Sequence, residues 1–194
     1  MGIRATVVFC VVSFLLGTLF THWIADSLTL WKAPITDEHL WTAASYYASL
    51  SKATPFLGYF LVSVVATGAV AILWSFGDGQ ASNLMFDGGS VFLFASTVFL
   101  YSYSVIPLIS AKFSSLPVHT LKDPVPGSLR TATLDLASNN LTCSVLLTGI
   151  VILQAGRLWT ERSDESLAVA EALRQTASLK GAQSRARTPQ PTKA

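Results

Sequence analysis

Charged side chains are scarce in this sequence. Asp, Glu, Lys and Arg make up only 12% of its 194 residues, whereas soluble domains contain about 25%. Four segments have no charged residue at all: residues 5–25, 53–77, 88–111 and 136–156. Four helices of a soluble bundle would each need a charged outer face. The missing charge therefore argues against a soluble bundle and favours a membrane protein.

Each charge-free segment is long enough to cross a bilayer, which takes about 20 apolar residues in a helix. A helix is also the non-barrel structure that satisfies the backbone in lipid. We predict an all-α polytopic membrane protein with four transmembrane helices and a partly disordered hydrophilic C-terminal tail. The predicted membrane domain is residues 1–156, with spans near 5–25, 54–76, 88–109 and 135–156, and the tail is residues 157–194. The alternative for the first span, a cleavable signal peptide, is disfavoured because its apolar run passes Phe20 without a clean cleavage site.

Cysteine is nearly absent. The two cysteines, Cys10 and Cys143, both lie inside predicted spans. Extracellular domains that are held together by disulfides need cysteines in their loops, which argues against an adhesion-type four-span protein. We expect both thiols to be inert packing residues.

The residues that carry catalysis are also missing. The three histidines, His22, His39 and His119, show no metal-ligand spacing, and no phosphate-binding loop or nucleophile motif is present. We predict no catalytic, cofactor-binding or metal-binding residue, and a protein that is not an enzyme. His22 lies beside Trp23 at a span end, which is typical of an interfacial residue. The net charge of +2 is too small to suggest nucleic acid as a partner.

The longest internal loop contains a predicted short helix. Thr36 is a candidate N-cap, followed by two acidic residues in the first turn. Aromatic residues favour the membrane boundary, so this helix is expected on the membrane surface or folded against the bundle. A loop helix with exposed aromatic side chains is an equal alternative. The aromatic residues concerned are Trp41, Tyr46 and Tyr47.

Prolines mark two span boundaries, and composition marks the tail. Pro55 suits the first helical position of the second span, whereas Pro107 is expected to close or kink the third. Beyond the fourth span, residues 157–180 are expected to be helical for part of their length. Residues 181–194 contain too little apolar surface to fold and are expected to be disordered.

Small residues recur at helical spacing on two spans. Such residues let helix backbones approach closely, and hydroxyls add hydrogen bonds between helices. Most of these faces are expected to pack inside the protein's own bundle, and a minority to face a partner's transmembrane helices. The first face consists of Ser13, Gly17 and Thr21, and the second of Ser63, Thr67 and Ala71.

The fourth span is the most polar. Asp135 precedes Arg157 by about 33 Å along a helix, close to the hydrocarbon thickness, so the two charges bracket the span at opposite interfaces. Uncharged hydrogen-bonding groups enter the lipid one to two turns further in, and they are the stronger functional candidates. Helical spacing predicts one face made of Asp135, Ser138, Asn139 and Thr142, and a neighbouring face made of Asn140 and Ser144.

Two segments resemble a known family. Residues 137–162, A-S-N-N-L-T-C-S-V-L-L-T-G-I-V-I-L-Q-A-G-R-L-W-T-E-R, resemble the last span and exit of the fungal SHR-type permease-packaging chaperones of the endoplasmic reticulum (ER). Residues 14–31, in which F-L-L-G leads through an aspartate to a Leu-Trp pair, resemble the same family, as does the Tyr46-Tyr47 pair. The resemblance covers roughly residues 10–162 and is most specific at its two ends.

The resemblance implies a multi-pass ER membrane protein with both termini cytosolic, an orientation that charge counting favours only weakly. It implies an intramembrane chaperone that assists the folding of newly made amino-acid permeases and their packaging into COPII vesicles for ER-to-Golgi transport. Its implied partners are these permeases, COPII coat components through the C-terminal tail, and the lipid bilayer. The candidate client contacts are Asn139, Asn140, Thr142, Ser138, Asp135, Ser13, Gly17 and Thr21.

A second function class stays open at this point. A structural or regulatory subunit of a resident membrane complex would also need small-residue faces. The two classes differ in stoichiometry, because a chaperone binds many clients transiently, whereas a subunit stays with one partner.

Overall fold

The computed structural model describes the backbone of residues 3–76, 81–121 and 123–187 and the side chains of residues 5–74, 85–121 and 123–177. All regular secondary structure in these residues is helical, as the sequence predicts. A π-helical turn, Tyr101–Val105, separates the fourth and fifth α-helices. The helices are α1 (Ile3–Leu30), α2 (Asp37–Ser51), α3 (Pro55–Phe76), α4 (Ala81–Leu100), α5 (Ile106–Lys112) and α6 (Gly127–Arg187).

Four stretches of the described helices are long and apolar enough to cross a membrane, which confirms the predicted number of transmembrane helices. α3 begins at Pro55, as expected. α6 continues to Arg187, so residues 181–187 of the segment predicted to be disordered are helical. Residues 188–194 of that segment lie outside the described residues. The four stretches are Ala5–Leu30, Pro55–Trp74, Met85–Lys112 and Gly127–Ala177.

The chain divides into two units, Met1–Gln154 and Ala155–Ala194. In the first unit, α1 packs against α2 and α3, α3 packs against α4, and α2 packs against α5. The described part of the second unit is a helical segment of α6 whose side chains are mostly exposed. Helix contacts and polar clusters therefore concentrate in the first unit.

The helix α2 is folded against the bundle. Its N-cap is Thr36, whose hydroxyl accepts a hydrogen bond from the backbone N–H of His39 at 3.4 Å, as the sequence predicts. The alternative of a loop helix with exposed aromatic residues is wrong, because Trp41 and Tyr47 are fully buried. Burial of one such large side chain contributes about 1.5–3 kcal/mol. The buried stripe has helical spacing and consists of Leu40, Trp41, Ala43, Ala44, Tyr47 and Ala48.

Pro107 does not end the third span, contrary to the expectation from sequence. The π-helical turn precedes it, and the backbone N–H of Ile106 donates to the carbonyl of Tyr101, five residues earlier. Pro107 then occupies one of the first positions of α5, where a missing N–H is tolerated. The helix thus absorbs the proline by widening one turn and continues to Lys112.

Two hydrophobic clusters hold the first unit together, and α6 contributes to both. Lipid tails are as apolar as leucine, so close packing, rather than the hydrophobic effect, stabilises contacts between spans. We name the first the span core: Val8, Val12, Leu19, Ile72, Phe94, Cys143, Leu147 and Ile150. We name the second the loop-side core: Ala25, Trp41, Ala43, Ala44, Tyr47, Val105, Phe113, Leu129, Ala132 and Leu136.

Three helices meet at Gly68 of α3. A Cβ atom on this residue would lie 2.7 Å from Cγ1 of Val11 in α1 and 3.1 Å from Cζ of Phe94 in α4. Cβ atoms do not approach other atoms that closely without displacing them. A glycine at this point therefore allows α1, α3 and α4 to approach one another within the membrane.

Candidate helix-contact site

Three buried side chains from three helices form a hydrogen-bonded group, which we name the polar cluster: Asp26 of α1, Tyr47 of α2 and Asn140 of α6. The Tyr47 hydroxyl donates to Oδ1 of Asp26. Nδ2 of Asn140 donates to Oδ2 of Asp26 at 3.2 Å and to the Tyr47 hydroxyl oxygen at 3.0 Å. The polar cluster thus joins the fourth span to the first span and to the loop helix.

Tyr47 acts in the polar cluster as a neutral donor. Burial raises the pKa of its phenol above the usual tyrosine range, and the neighbouring Asp26 carboxylate raises it further. The phenol therefore stays protonated at physiological pH. Beside it, Nδ1 of His22 lies 2.8 Å from the Tyr46 hydroxyl oxygen. His22 is buried and has Tyr46 as its partner, while its place at the membrane interface stays a prediction.

The structure separates the predicted polar residues of α6. Asn140 is buried in the polar cluster, whereas Nδ2 of Asn139 donates to the Ser104 hydroxyl of the π-helical turn at 2.7 Å. Asp135, Ser138 and Thr142 are exposed. The Thr142 hydroxyl donates to the carbonyl of Ser138 at 2.9 Å, within its own helix. Asn140 thus lies in the interior, whereas Asp135, Ser138 and Thr142 lie on the exposed side of α6.

The small-residue face of α1 lies on the outside of the bundle. Ser13, Gly17 and Thr21 are all exposed, and the Thr21 hydroxyl donates to the carbonyl of Thr18 at 2.6 Å. The expectation that most such faces pack internally is wrong here, and it is wrong for the second span at Ser63 and Thr67, which are also exposed. The physical reason is that a serine or threonine can bond to its own helix. The hydroxyls of Thr21, Ser63 and Thr67 do so, and they therefore stay paired where they face lipid.

A second buried polar group joins α4 to α6, and sequence reasoning missed it. Nε2 of Gln154 donates to Oδ1 of Asp87 at 3.3 Å and to the Ser90 hydroxyl at 2.9 Å. The sequence did contain a signal for this polar group, because Gln154 lies within a charge-free segment and Asp87 directly precedes another such segment. Sequence reasoning also missed the role of Asp26, because it ended the first span near residue 25, whereas α1 continues to Leu30.

The described residues contain no group of three or more His, Cys, Asp or Glu side chains that could hold a metal ion. Cys10 is exposed and Cys143 is buried, and both are free thiols. The buried polar side chains described above bond to one another across helices. The first unit thus presents internal polar contacts together with outward-facing small and hydroxyl residues.

A comparison with protein families relates this arrangement to known proteins. The family model described as ER membrane protein SH3, the SHR3 chaperone family, matches residues 1–193. The chain belongs to this family. Comparisons with curated proteins and with solved structures each found no significant match.

Membership of the SHR3 chaperone family makes the chain a multi-pass ER membrane protein of a chaperone class, as the resemblance implied. The family is one of chaperones and does not define an enzyme class. For a membrane chaperone, the surfaces that can meet other proteins are those exposed on the spans and on the tail. In this SHR3 family member, these surfaces include the small-residue face of α1 and the exposed residues of α6.

The described tail residues of this family member include four exposed apolar side chains. Helical spacing spreads them over nearly half of the helix circumference, with the exposed Arg162 and Arg174 among them. An ion pair between Nε of Arg157 and Oε1 of Glu161, 2.9 Å long, lies at the start of the same segment. The described part of the tail is thus a helix that exposes both apolar and charged side chains. The four side chains are Trp159, Leu167, Val169 and Leu173.

Proposed function

We propose that this protein is an ER membrane chaperone that assists the folding of newly made amino-acid permeases and their packaging into COPII vesicles. The observation that carries the proposal is the match of the SHR3 chaperone family to residues 1–193. The identity of the clients rests on the resemblance of residues 14–31 and 137–162 to permease-packaging chaperones. The protein acts by reversible contacts between helices inside the bilayer.

The outward-facing residues support such contacts. An incompletely assembled permease presents polar groups and broken helices that lack their final partners. Exposed hydroxyl and carboxylate groups on α6, together with the small-residue face of α1, offer hydrogen bonds and close backbone approach. One such hydrogen bond contributes about 0.6–2 kcal/mol in a membrane. Binding of this strength holds a client and still releases it.

Loss of the chain is expected to trap amino-acid permeases in the ER as aggregates, while unrelated secreted proteins leave normally. In a mild-detergent pull-down of the tagged full chain, we expect several different permeases, each well below one copy per chain. A tagged four-span ER protein of another family is the control. One partner recovered at constant stoichiometry would contradict the proposal and would identify a subunit of a resident complex.

We further propose that both termini are cytosolic and that the tail contacts COPII coat components. The exposed apolar side chains of the tail and the charged residues beside them supply a surface for such a contact. In sealed ER vesicles, an external protease is expected to remove a C-terminal epitope tag without detergent, while a luminal protein stays intact. A tag that is digested only after detergent is added would contradict this orientation.

A further inference from the structure

A groove of about 480 Å³ runs between α1 and α6 in the first unit. Its walls are mainly apolar, and they include Leu16, Phe20 and Trp23 of α1 and Leu141 of α6. Phe20 is 72% exposed, so this wall lies at the outer surface of the bundle. The groove therefore opens where a molecule in the bilayer can enter it.

A buried hydrogen-bond acceptor without a partner belongs to a residue that lines the groove. Asn140 lines it and is only 2% exposed. Its Nδ2 is occupied by Asp26 and Tyr47, whereas its Oδ1 has no hydrogen-bond partner among the described residues. Buried side-chain oxygens normally have a partner, and an amide oxygen can only accept. The occupant of the groove is thus expected to supply a donor.

The α1 side of the groove suits a helix. Gly17 lines the groove, and a Cβ atom placed on it would meet nothing within 4 Å. Ser13 and Thr21 extend the same small-residue face by one turn in each direction, and both are exposed. Small residues at this spacing are the surface against which transmembrane helices pack closely. The acyl chain of a lipid has no hydrogen-bond donor, and it does not require small residues in order to pack against a helix.

We propose that the groove is a client-binding site that receives one transmembrane helix of an unassembled membrane protein. The helix packs against Ser13, Gly17 and Thr21, and a side-chain hydroxyl or amide of the client donates a hydrogen bond to Oδ1 of Asn140. Asn140 lies about 7.5 Å along α6 from Asp135 at the membrane boundary, so the client's donor lies at that depth. This inference rests on the proposed function and adds the site and the chemistry that it recognises.

The test uses photocrosslinking from the full chain in ER membranes. Phe20 in the groove is replaced by p-benzoylphenylalanine, and Phe56 of α3, which is 75% exposed, is the control position. We expect crosslinks to amino-acid permeases from position 20 and several-fold fewer from position 56, because Phe20 lines the groove and Phe56 does not.

A matched pair of glycine variants tests the groove itself. Gly17→Leu fills the groove, whereas Gly58→Leu adds the same side chain on α3, where a Cβ atom also meets nothing within 4 Å. Both variants are expected to fold, because both positions open onto free space. Gly17→Leu is expected to reduce the permease crosslink from position 20 at least about threefold, and Gly58→Leu to leave it unchanged.

The donor requirement has its own readout. The purified full chain in phosphatidylcholine vesicles is mixed with a synthetic Leu/Ala helix of about 20 residues that carries one asparagine at the depth of Asn140. We expect about threefold to thirtyfold tighter binding than for the same peptide without asparagine. Equal binding of the two peptides would overturn the hydrogen bond to Asn140.

The outcomes separate the groove from the proposed function. If permeases still depend on the chain, but position 20 crosslinks only to lipid, sterol or a second copy, the groove proposal fails and the chaperone function stands. If permeases reach the cell surface normally without the chain, the proposed function fails whatever the groove binds.

Discussion

Replacing Tyr47 with phenylalanine is expected to lower the free energy of unfolding by about 2–4 kcal/mol. The change removes the hydroxyl that donates to Asp26 and accepts from Asn140, so it breaks two buried hydrogen bonds at once. It also leaves the buried Asp26 with one partner fewer. In a thermal denaturation in mild detergent, we expect a fall in Tm of about 5–10 °C.

The adjacent tyrosine provides the matched control. Tyr46→Phe removes the same atom, but the hydroxyl of Tyr46 lies at the edge of the bundle, next to His22 and the carbonyl of Thr21. We expect a loss of about 0.5–1.5 kcal/mol. Equal losses for the two variants would show that the polar cluster does not hold α2 to the spans.

Replacing Gly68 with valine is expected to destabilise the first unit by about 1–3 kcal/mol or more. The new Cβ atom would lie 2.7 Å from Val11, whose β-branched side chain has little freedom to rotate in a helix, and 3.1 Å from the buried ring of Phe94. The helices α1 and α3 would have to separate. Loss of folded protein in the membrane and a lower Tm in detergent are the measurements.

Gly58→Val is the control for this substitution. It lies on the same helix and changes helix propensity by the same amount, but a Cβ atom there meets nothing within 4 Å. Its Tm is expected to stay within about 2 °C of that of the wild-type chain. A comparable loss of stability at Gly58 would mean that backbone propensity, rather than packing, explains the effect at Gly68.

Hydropathy and capping patterns predict much of this fold from the sequence. The four charge-free segments predict four helices long enough to span a membrane, and the part of the chain that the structure describes contains four. Thr36 and Pro55 correctly predict where α2 and α3 begin. These features depend on local sequence alone, since a missing charge, a capping hydroxyl and a ring-locked φ angle act over one turn of helix.

Helix rotation could not be predicted in the same way. Asn139 and Asn140 are adjacent and chemically identical, as are Tyr46 and Tyr47, yet Asn140 and Tyr47 form the polar cluster. In water, burial of apolar surface selects the inward face of a helix, but lipid provides no such contrast. The choice between neighbours depends on tertiary contacts with Asp26, which is remote in the sequence from both pairs.

The same distinction applies to the candidate site, where features of a single helix were predictable and contacts between helices were not. Ser13, Gly17 and Thr21 were identified from their spacing, and the structure places them on an exposed face beside a groove. The groove itself was not predictable, because it requires knowledge of which helix lies next to α1. The partners of Gln154 were also not predictable, since Asp87 and Ser90 lie on another helix.

The hydrogen bonds that exposed hydroxyls make within their own helix determine how the surface behaves when no other protein is bound to it. Thr21 and Thr142 each bond to a carbonyl of their own helix, as do Ser63 and Thr67 on α3. A helix that packs on this surface and bonds to one of these hydroxyls would exchange one hydrogen bond for another, and its departure would restore the first. In lipid without such a helix, the four hydroxyls keep a partner in their own helix. Hydroxyl groups can therefore face the bilayer on this protein without leaving a buried polar group unpaired.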